Sequence, residues 1–500
     1  MLRVVSREQL ENAQYQKARA IQLPRSIVHS LTILRFVLVC NAKEHWMFIS
    51  LTTMRLGPPS KISRRNSGAS VCTYWAMAEI GRWLVLLLIT TTIGPGCPAY
   101  LIGQTQQTLA PDQQTKEAPA QTVKQKSHQD PSKESPQRQI ELELIRIGKK
   151  YKHPSLFAGY QTLGGPFIGA ARGRRKKGSD VRVTIDDKVH IGSCTKAMTA
   201  TLIAKLIERG VLKNGTLAWD MTIAEGLPEL SKMIDPIFAK VTLRQLLTHR
   251  GGCPANTNWS AAKRKKSIVE TRRSVIRIAL KKERDNKPGD FLYSNVGYVV
   301  AAAMAERATG ESWETLMREE IFEPLNLKSA GFGPPDVDQD IKQPWGHSSM
   351  ATLQIPTHFD NPAALGPAGT VHMSLGDWAK FCLVHAVKAQ ANGKNEDQSE
   401  KTTAPKLVSQ ASLDFLHTPP ENAQGAGDDY ALGWKVLERE WGGTVFAHSG
   451  SNTLWTAIVW VSPENKSVYL AATNIANEQA GIGLDKIFAT LIRLEKETRK

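Results

Sequence analysis

The 500-residue chain carries 64 Lys and Arg against 47 Asp and Glu, a formal charge of +17, with 41% hydrophobic and 22% charged residues. This balance is globular and excludes a wholly disordered, collagen-like or multi-span membrane protein. Six cysteines over this length are too few for a disulfide scaffold.

Length alone allows two to four structural units. The basic excess sits early: residues 1–100 hold 12 Lys and Arg against 4 Asp and Glu. The rest is mildly basic, and a solvated surface accounts for it. No nucleic-acid-binding module accompanies the charge, so no nucleic-acid partner is expected.

Val28–Cys40 is apolar, but it is short and interrupted by Arg35, so it does not span a bilayer. Met77–Arg82, the apolar run Trp83–Ile89 and the small residues up to Cys97 have the order of an export signal. Signals stand at an N-terminus, so Met77 reads as the true start and residues 1–76 as over-annotated or disordered sequence. A buried or peripheral apolar segment is the competing reading. Cys97 leaves two forms open: one lipid-anchored at its N-terminus, one soluble and secreted. Either form is exported, to the periplasm or the cell envelope. Residues 103–139 are rich in Gln, Pro, Ser, Thr and Lys, too poor in apolar groups to offset chain entropy, and read as a linker after a segment spanning residues 77–102.

The folded body is expected over residues 140–500. Ile140–Tyr151 has helical apolar spacing. Leu156–Thr162 and Pro166–Arg172 flank two glycines and read as a hairpin, followed by a solvated turn over Arg172–Lys177. Lys188–Ile191 reads as a strand. Ser193–Arg209 reads as a helix stopped at Gly210, with Met198, Leu202, Ile203, Leu206 and Ile207 at helical spacing. Residues 211–430 read mostly as helix and loop. Thr453–Val461 and Ser467–Thr473 form a second hairpin, and Leu484–Glu497 a last amphipathic helix. Strands at both ends with helices between imply an α+β body, an antiparallel sheet flanked by helices with an inserted helical region.

Three motifs carry chemistry. In Ser193–Lys196 a serine and a lysine stand three apart, one helical turn along one face. Ser193 sits where a helix start favours developing negative charge, and a desolvated lysine becomes a base toward the hydroxyl. A second copy, Ser260–Lys263, precedes a basic run and reads as surface chance. In Tyr293–Asn295, a phenol near a cationic lysine has its pKa lowered and relays protons, while the Asn amide binds a substrate carbonyl and steadies the lysine. In His448–Gly450, just before the expected strand, His448 offers a hydrogen bond or positive charge to a substrate carboxylate. Gly450 admits substrate close to the backbone, and the Ser451 N–H forms an oxyanion hole with that of Ser193. Alone, the second and third motifs also fit ordinary loop and turn residues.

Taken in order, with gaps of 100 and 155 residues between motifs, the set resembles the β-lactamase-related serine hydrolases. That group includes class C β-lactamases, D-Ala-D-Ala carboxypeptidases, penicillin-binding proteins, D-aminopeptidases and esterases. Val241–His249 with Gly251 and Gly252, Pro288–Tyr298, Ile321–Leu327 and Pro367–Val371 look similar to segments of the same family. The resemblance covers residues 140–500 and implies a β-lactamase/transpeptidase-like fold. It implies acyl transfer by Ser193, Lys196 and Tyr293, with Asn295, His448, Gly450 and Ser451 holding substrate and no metal or organic cofactor. His448–Gly450 departs from the Lys-Thr-Gly of class C β-lactamases and looks more like the carboxypeptidase and esterase branches. The resemblance also makes His249 structural. Cys194 points away around the helix, toward packing.

A nucleophile elbow needs Gly-x-Ser-x-Gly, and the text around Ser193 fails it. The twelve histidines make no His-Glu-x-x-His, and no phosphate-binding glycine loop appears. The expected function is a secreted serine hydrolase acting on a cell-wall peptide or β-lactam. The alternatives are a small-ester hydrolase of the same fold and a binding or sensor protein that does not turn over. The expected partners are a peptide or small-molecule substrate and a cell-envelope polymer.

Overall fold

The computed structural model describes residues 33–41 and 46–54, then 134–499 except 261–264, 282–286, 338–339, 351–352, 388–405, 422–426 and 428. The readings for residues 77–102, for Cys97 and for most of the stretch 103–139 lie outside the described residues, as does Lys263 of the second Ser-x-x-Lys. The chain divides into two compact units, Met1–Gln121 and Thr122–Lys500. In the first, strand β1 (Ile33–Asn41) pairs antiparallel with β2 (Trp46–Met54), Phe36 opposite Leu51.

The second unit opens with helix Pro136–Tyr151. Its start lies four residues ahead of the apolar pattern, inside the stretch read as linker. Ser135 caps it by accepting the Arg138 N–H, and Pro136 fits the first turn, where no N–H is needed. Strands follow in chain order: β3 (Ser155–Thr162), β4 (Ile168–Gly173), β5 (Val189–His190), β6 (Gly331–Phe332), β7 (Gly346–Met350), β8 (Leu353–Thr357), β9 (Val371–Met373), β10 (Lys435–Arg439), β11 (Gly443–Ser451), β12 (Thr456–Ser462) and β13 (Ser467–Thr473). Six of them form one antiparallel sheet in the order β10-β11-β12-β13-β3-β4; β5, β9 and β6 form a smaller one. The sheet thus joins strands from both ends of the unit around a largely helical middle, the α+β arrangement the sequence implies.

The pleat sorts residues between two cores. In β13 all seven residues are buried. Val468, Leu470 and Ala472 face the helical middle, while Tyr469 and Ala471 face the terminal helices. On that second side Ile140, Leu144 and Ile147 meet Leu484, Ile487 and Leu491 of helix Glu478–Thr498. On the first side lie helices Thr195–Arg209 and Asn295–Thr309, both buried nearly all round. A helix buried on every face carries no amphipathic stripe, which is why the small-residue run at Ala301–Ala303 does not announce its helix.

The Arg172–Lys177 segment is more than a solvated turn. Arg175 donates to both oxygens of buried Asp187, at 2.8 and 2.6 Å, and Lys176 Nζ lies 3.7 Å above the Trp345 ring. These two contacts tie the β4 exit to the loop ahead of β5 and to β7.

Fully buried Arg272 on helix Ile268–Ala279 donates to Glu306 and Glu314, uniting three helices. Burial pushes the Glu306 carboxyl up, and the guanidinium opposes that shift. Arg272→Met would leave a buried carboxylate unpaired. We expect a loss of about 3–5 kcal/mol, read from chemical unfolding midpoints at neutral pH. An unchanged midpoint would show that the three helices do not depend on the ion pair.

Candidate active site

Residues Gly192–Cys194 form a 3-10 turn that runs into helix Thr195–Arg209, so Ser193 stands just ahead of the α-helix rather than in it. From Ile191 to Ala204 every residue but Ser193 is buried. The hydroxyl therefore projects from an otherwise sealed segment. Gly192 has φ +52°, and a Cβ there would lie 2.4 Å from the Ser451 nitrogen. Only glycine fits that close, left-handed position. Cys194 turns inward with its sulfur 3.7 Å from the His448 carbonyl, and burial pushes its thiol up. It is packing, not a second nucleophile.

Lys196 is fully buried. Its Nζ donates to Asn295 Oδ1 at 2.7 Å, to the Ala368 carbonyl at 2.8 Å and to Ser193 Oγ at 3.1 Å. Burial pushes its pKa down to about 7. Two of the three acceptors carry no proton to give. When the ammonium loses its proton, the remaining N–H groups stay on those two carbonyls and the lone pair falls on Ser193 Oγ. The contact set thus aims a base at the nucleophile.

Lys196 Nζ lies 4.7 Å from the Tyr293 ring centre, and Ser193 draws the Tyr293 phenol down against the larger push of burial. Here the sequence expectation is corrected. Burial pushes the phenol up, not down, so Tyr293 keeps its proton near neutral pH. Asn295 opens helix Asn295–Thr309, capped by Ser294, whose oxygen accepts the Gly297 N–H. Its Oδ1 is taken by Lys196 and its Nδ2 donates to Asn256 Oδ1 at 2.8 Å. Buried His249, at φ +61°, accepts the Ser294 N–H on Nδ1 and packs 4.2 Å from the Tyr293 ring. Burial pushes it well below the usual histidine range. It supports the Tyr293–Asn295 segment.

His448–Gly450 lies inside β11, not in a turn before a strand, and pairs with β12 as His448 opposite Val459 and Gly450 opposite Ala457. A Cβ on Gly450 would stand 2.0 Å from the Ile191 carbonyl oxygen and 2.8 Å from the Ser193 nitrogen. The glycine lets β11 lie directly on the nucleophile turn, which places the backbones of Ser193 and Ser451 side by side. His448 is corrected as well. It is buried, its Nε2 bonds Tyr430 Oη at 3.0 Å and its Nδ1 bonds the Ser449 carbonyl at 2.7 Å. Burial pushes its pKa down to about 3, so it offers no positive charge to a substrate carboxylate.

The structure therefore gathers Ser193, Lys196, Tyr293, Asn295, Gly450 and Ser451 at one place and turns His448 into the wall beside them. Sequence reasoning missed Tyr430, Asn256 and the Ala368 carbonyl. The last lies in the Pro367–Val371 segment, where the resemblance is visible, but a backbone acceptor leaves no residue-type signal.

The Beta-lactamase family model matches residues 140–491. Penicillin-binding protein 4 of Amycolatopsis lactamdurans is 24% identical over 64% of this chain and 84% of its own length. The D-alanyl-D-alanine-carboxypeptidase/endopeptidase AmpH of Escherichia coli K12 is 22% identical over 60% and 74%. The crystal structure of a D-amino acid amidase from Ochrobactrum anthropi SV3 superposes with a TM-score of 0.55 at 20% identity, covering 73% of this chain and 99% of that one. With a family match across most of the chain and a buried lysine held against an accessible serine, this protein belongs to the Beta-lactamase family and is a serine hydrolase of that group.

Proposed function

We propose that the protein cleaves an amide or ester through an acyl-enzyme on Ser193. The observation that carries this reading is the Lys196 contact set, which leaves one lone pair and directs it to Ser193 Oγ. Neutral Lys196 takes the hydroxyl proton as Ser193 attacks the carbonyl. The N–H groups of Ser193 and Ser451 receive the oxyanion. Tyr293, still protonated, passes a proton to the leaving group and recovers one from Lys196. Water then releases the acyl group. The substrate in this reading is a cell-wall peptide or a β-lactam, and the names of the curated relatives support that class.

A second reading, hydrolysis of small esters or amides without a free carboxylate, rests on His448. With both ring nitrogens engaged and its charge suppressed, His448 supplies no cation for a substrate carboxylate beside Ser193. Intact-mass spectrometry of the full chain with a penicillin, beside nitrocefin and p-nitrophenyl ester assays, separates the readings. A stable adduct on Ser193 with slow turnover is expected for a wall peptidase, and rapid nitrocefin turnover for a β-lactamase. Ester cleavage without a penicillin adduct selects the second reading. Failure of penicillin, ester and a fluorophosphonate to modify Ser193 overturns the acyl-enzyme.

Export to the cell envelope belongs to the same proposal, supported by the residue order over 77–97. Sequencing the native N-terminus tests it. A mature chain beginning at Cys97 with added lipid mass would show an anchored form, and one beginning later a soluble form. A chain retaining residues 1–76 would overturn it.

A further inference from the structure

The loop after β8 carries Asp360, a residue outside all three motifs. Its side chain is 5% exposed and receives two donors. His190 Nε2 lies 3.0 Å from Oδ1 and 3.1 Å from Oδ2, and Asn452 Nδ2 donates to Oδ1 at 2.7 Å. Each donor leads to one half of the oxyanion site. The Gly192 N–H donates to His190 Nδ1 at 3.1 Å, and Gly192 directly precedes Ser193. Asn452 directly follows Ser451, and its Oδ1 accepts the N–H groups of Leu454 and Trp455 at 3.2 and 2.9 Å.

We propose that Asp360 is a positioning residue that holds the Ser193 and Ser451 N–H groups in register, by receiving His190 on one side and Asn452 on the other. The inference rests on the acyl-enzyme reading above.

The donor inventory explains why a carboxylate stands here. His190 Nδ1 accepts a backbone N–H, so the ring proton sits on Nε2 and faces Asp360. Asn452 Oδ1 accepts two backbone N–H groups, so its amide cannot turn over, and Nδ2 also faces Asp360. Both neighbours present protons, and only a group with two free acceptor oxygens satisfies both. An amide at position 360 satisfies one neighbour and opposes the other, donor against donor. The next residue extends the arrangement. Asn361 Nδ2 donates to the Gly369 carbonyl at 2.8 Å, one residue from the carbonyl that holds Lys196. One loop thereby bonds β5 just ahead of the nucleophile turn, the residue that follows β11 and the neighbour of the acceptor of the base.

The test uses p-nitrophenyl ester acylation by the full chain, with active sites counted by fluorophosphonate labelling. Asp360→Asn, nearly equal in shape, is expected to slow acylation per labelled site by roughly 10- to 100-fold, because the donors remain but lose their alignment. The substrate dissociation constant, read from the concentration dependence of the acylation rate, is expected to change by less than about threefold, since the missing interaction belongs to the transition state. The exchange Asp360→Asn with Asn452→Asp restores a matched set. The new carboxylate takes the Leu454 and Trp455 N–H groups on one oxygen and the new amide's N–H on the other, while the amide oxygen receives His190. This double variant is expected to recover most of the lost rate.

The single change Asn452→Asp sets two carboxylates face to face and is expected to be slow. Adding Asp360→Asn to it is expected to speed it up, which keeps the test open if Asp360→Asn alone does not fold. A general loss of stability would lower the labelled fraction without producing this reciprocal rescue. Wild-type acylation per site in Asp360→Asn, or a double variant no faster than either single, overturns the proposal. A wild-type chain that neither the ester nor the fluorophosphonate modifies at Ser193 is instead the failure of the acyl-enzyme reading.

Discussion

Lys196→Met is expected to slow acylation about a thousandfold, the scale of a lost general base, while the helix around it stays intact. Methionine keeps most of the apolar stem within a segment buried on every side. It removes the only group placed to accept the Ser193 proton among the described residues, since Tyr293 holds its own and His249 and His448 face other partners. The loss should appear in the acylation rate constant and not in the substrate dissociation constant. A pH profile gives the companion result. Lys196 is pushed down to about 7, so the ammonium predominates below that value and the free amine above it. The wild-type acylation rate should rise through about pH 7 and level off above it, falling roughly tenfold per unit on the acid side. Stopped-flow ester acylation from pH 5 to 9 checks both results. A flat profile, or a Lys196→Met variant as fast as wild type, would remove the lysine from the base role.

Gly450→Ala has the second-largest expected effect, and its cause is steric. The added carbon would stand 2.0 Å from the Ile191 carbonyl oxygen, 2.8 Å from the Ser193 nitrogen and 3.0 Å from the Cys194 nitrogen. All three are backbone atoms, so no side chain can swing aside. The strand must move off the nucleophile turn, and the Ser193 and Ser451 N–H groups part. Loss of one oxyanion donor costs about 10²- to 10³-fold in rate, and the overpacking itself about 1–3 kcal/mol of stability. Gly376→Ala, in helix Leu375–Leu383, is the control, because nothing lies within 4 Å of the added carbon. It should leave rate and melting temperature near wild type. Equal activity in both alanine variants would show that β11 does not need its close approach to the turn.

Much of the site is legible in sequence because its chemistry sits in side chains at short, ordered spacings. Ser193 and Lys196 announce each other across one turn, and Asn295 follows Tyr293 by two. The hairpins around Leu163–Gly165 and Pro463–Asn465 are legible for a similar reason, since turn residues punctuate apolar runs. Charge states are not legible. Tyr293 and His448 have the residue types of a relay and a cation, but their titration depends on what surrounds them, and burial overrules the expectation in both. Strand β11 is obscured by its own ending, because Gly450 and Ser451 have the composition of a turn and are kept in the ladder by pairing with β12. His190, Asp360 and Asn452 carry no pattern at all. They meet only when β5, β11 and the loop after β8 are brought together.

The central position of β13 also governs the order of assembly. It is paired with β12 on one side and β3 on the other, and Thr473 donates to the Ser155 carbonyl across 318 residues of chain. During synthesis β3 therefore lacks its β13 neighbour until residues 467–473 have been made. Such long-range pairing makes for slow closure and a long-lived incomplete state prone to aggregation. The helices between rest on more local contacts, whereas β11, which brings Gly450 onto the nucleophile turn, joins β3 in the sheet only through β12 and β13. The nucleophile thus acquires its oxyanion partner only once residues 443–451 are in place, and a chain cut short before them would carry the serine and lysine without the second donor.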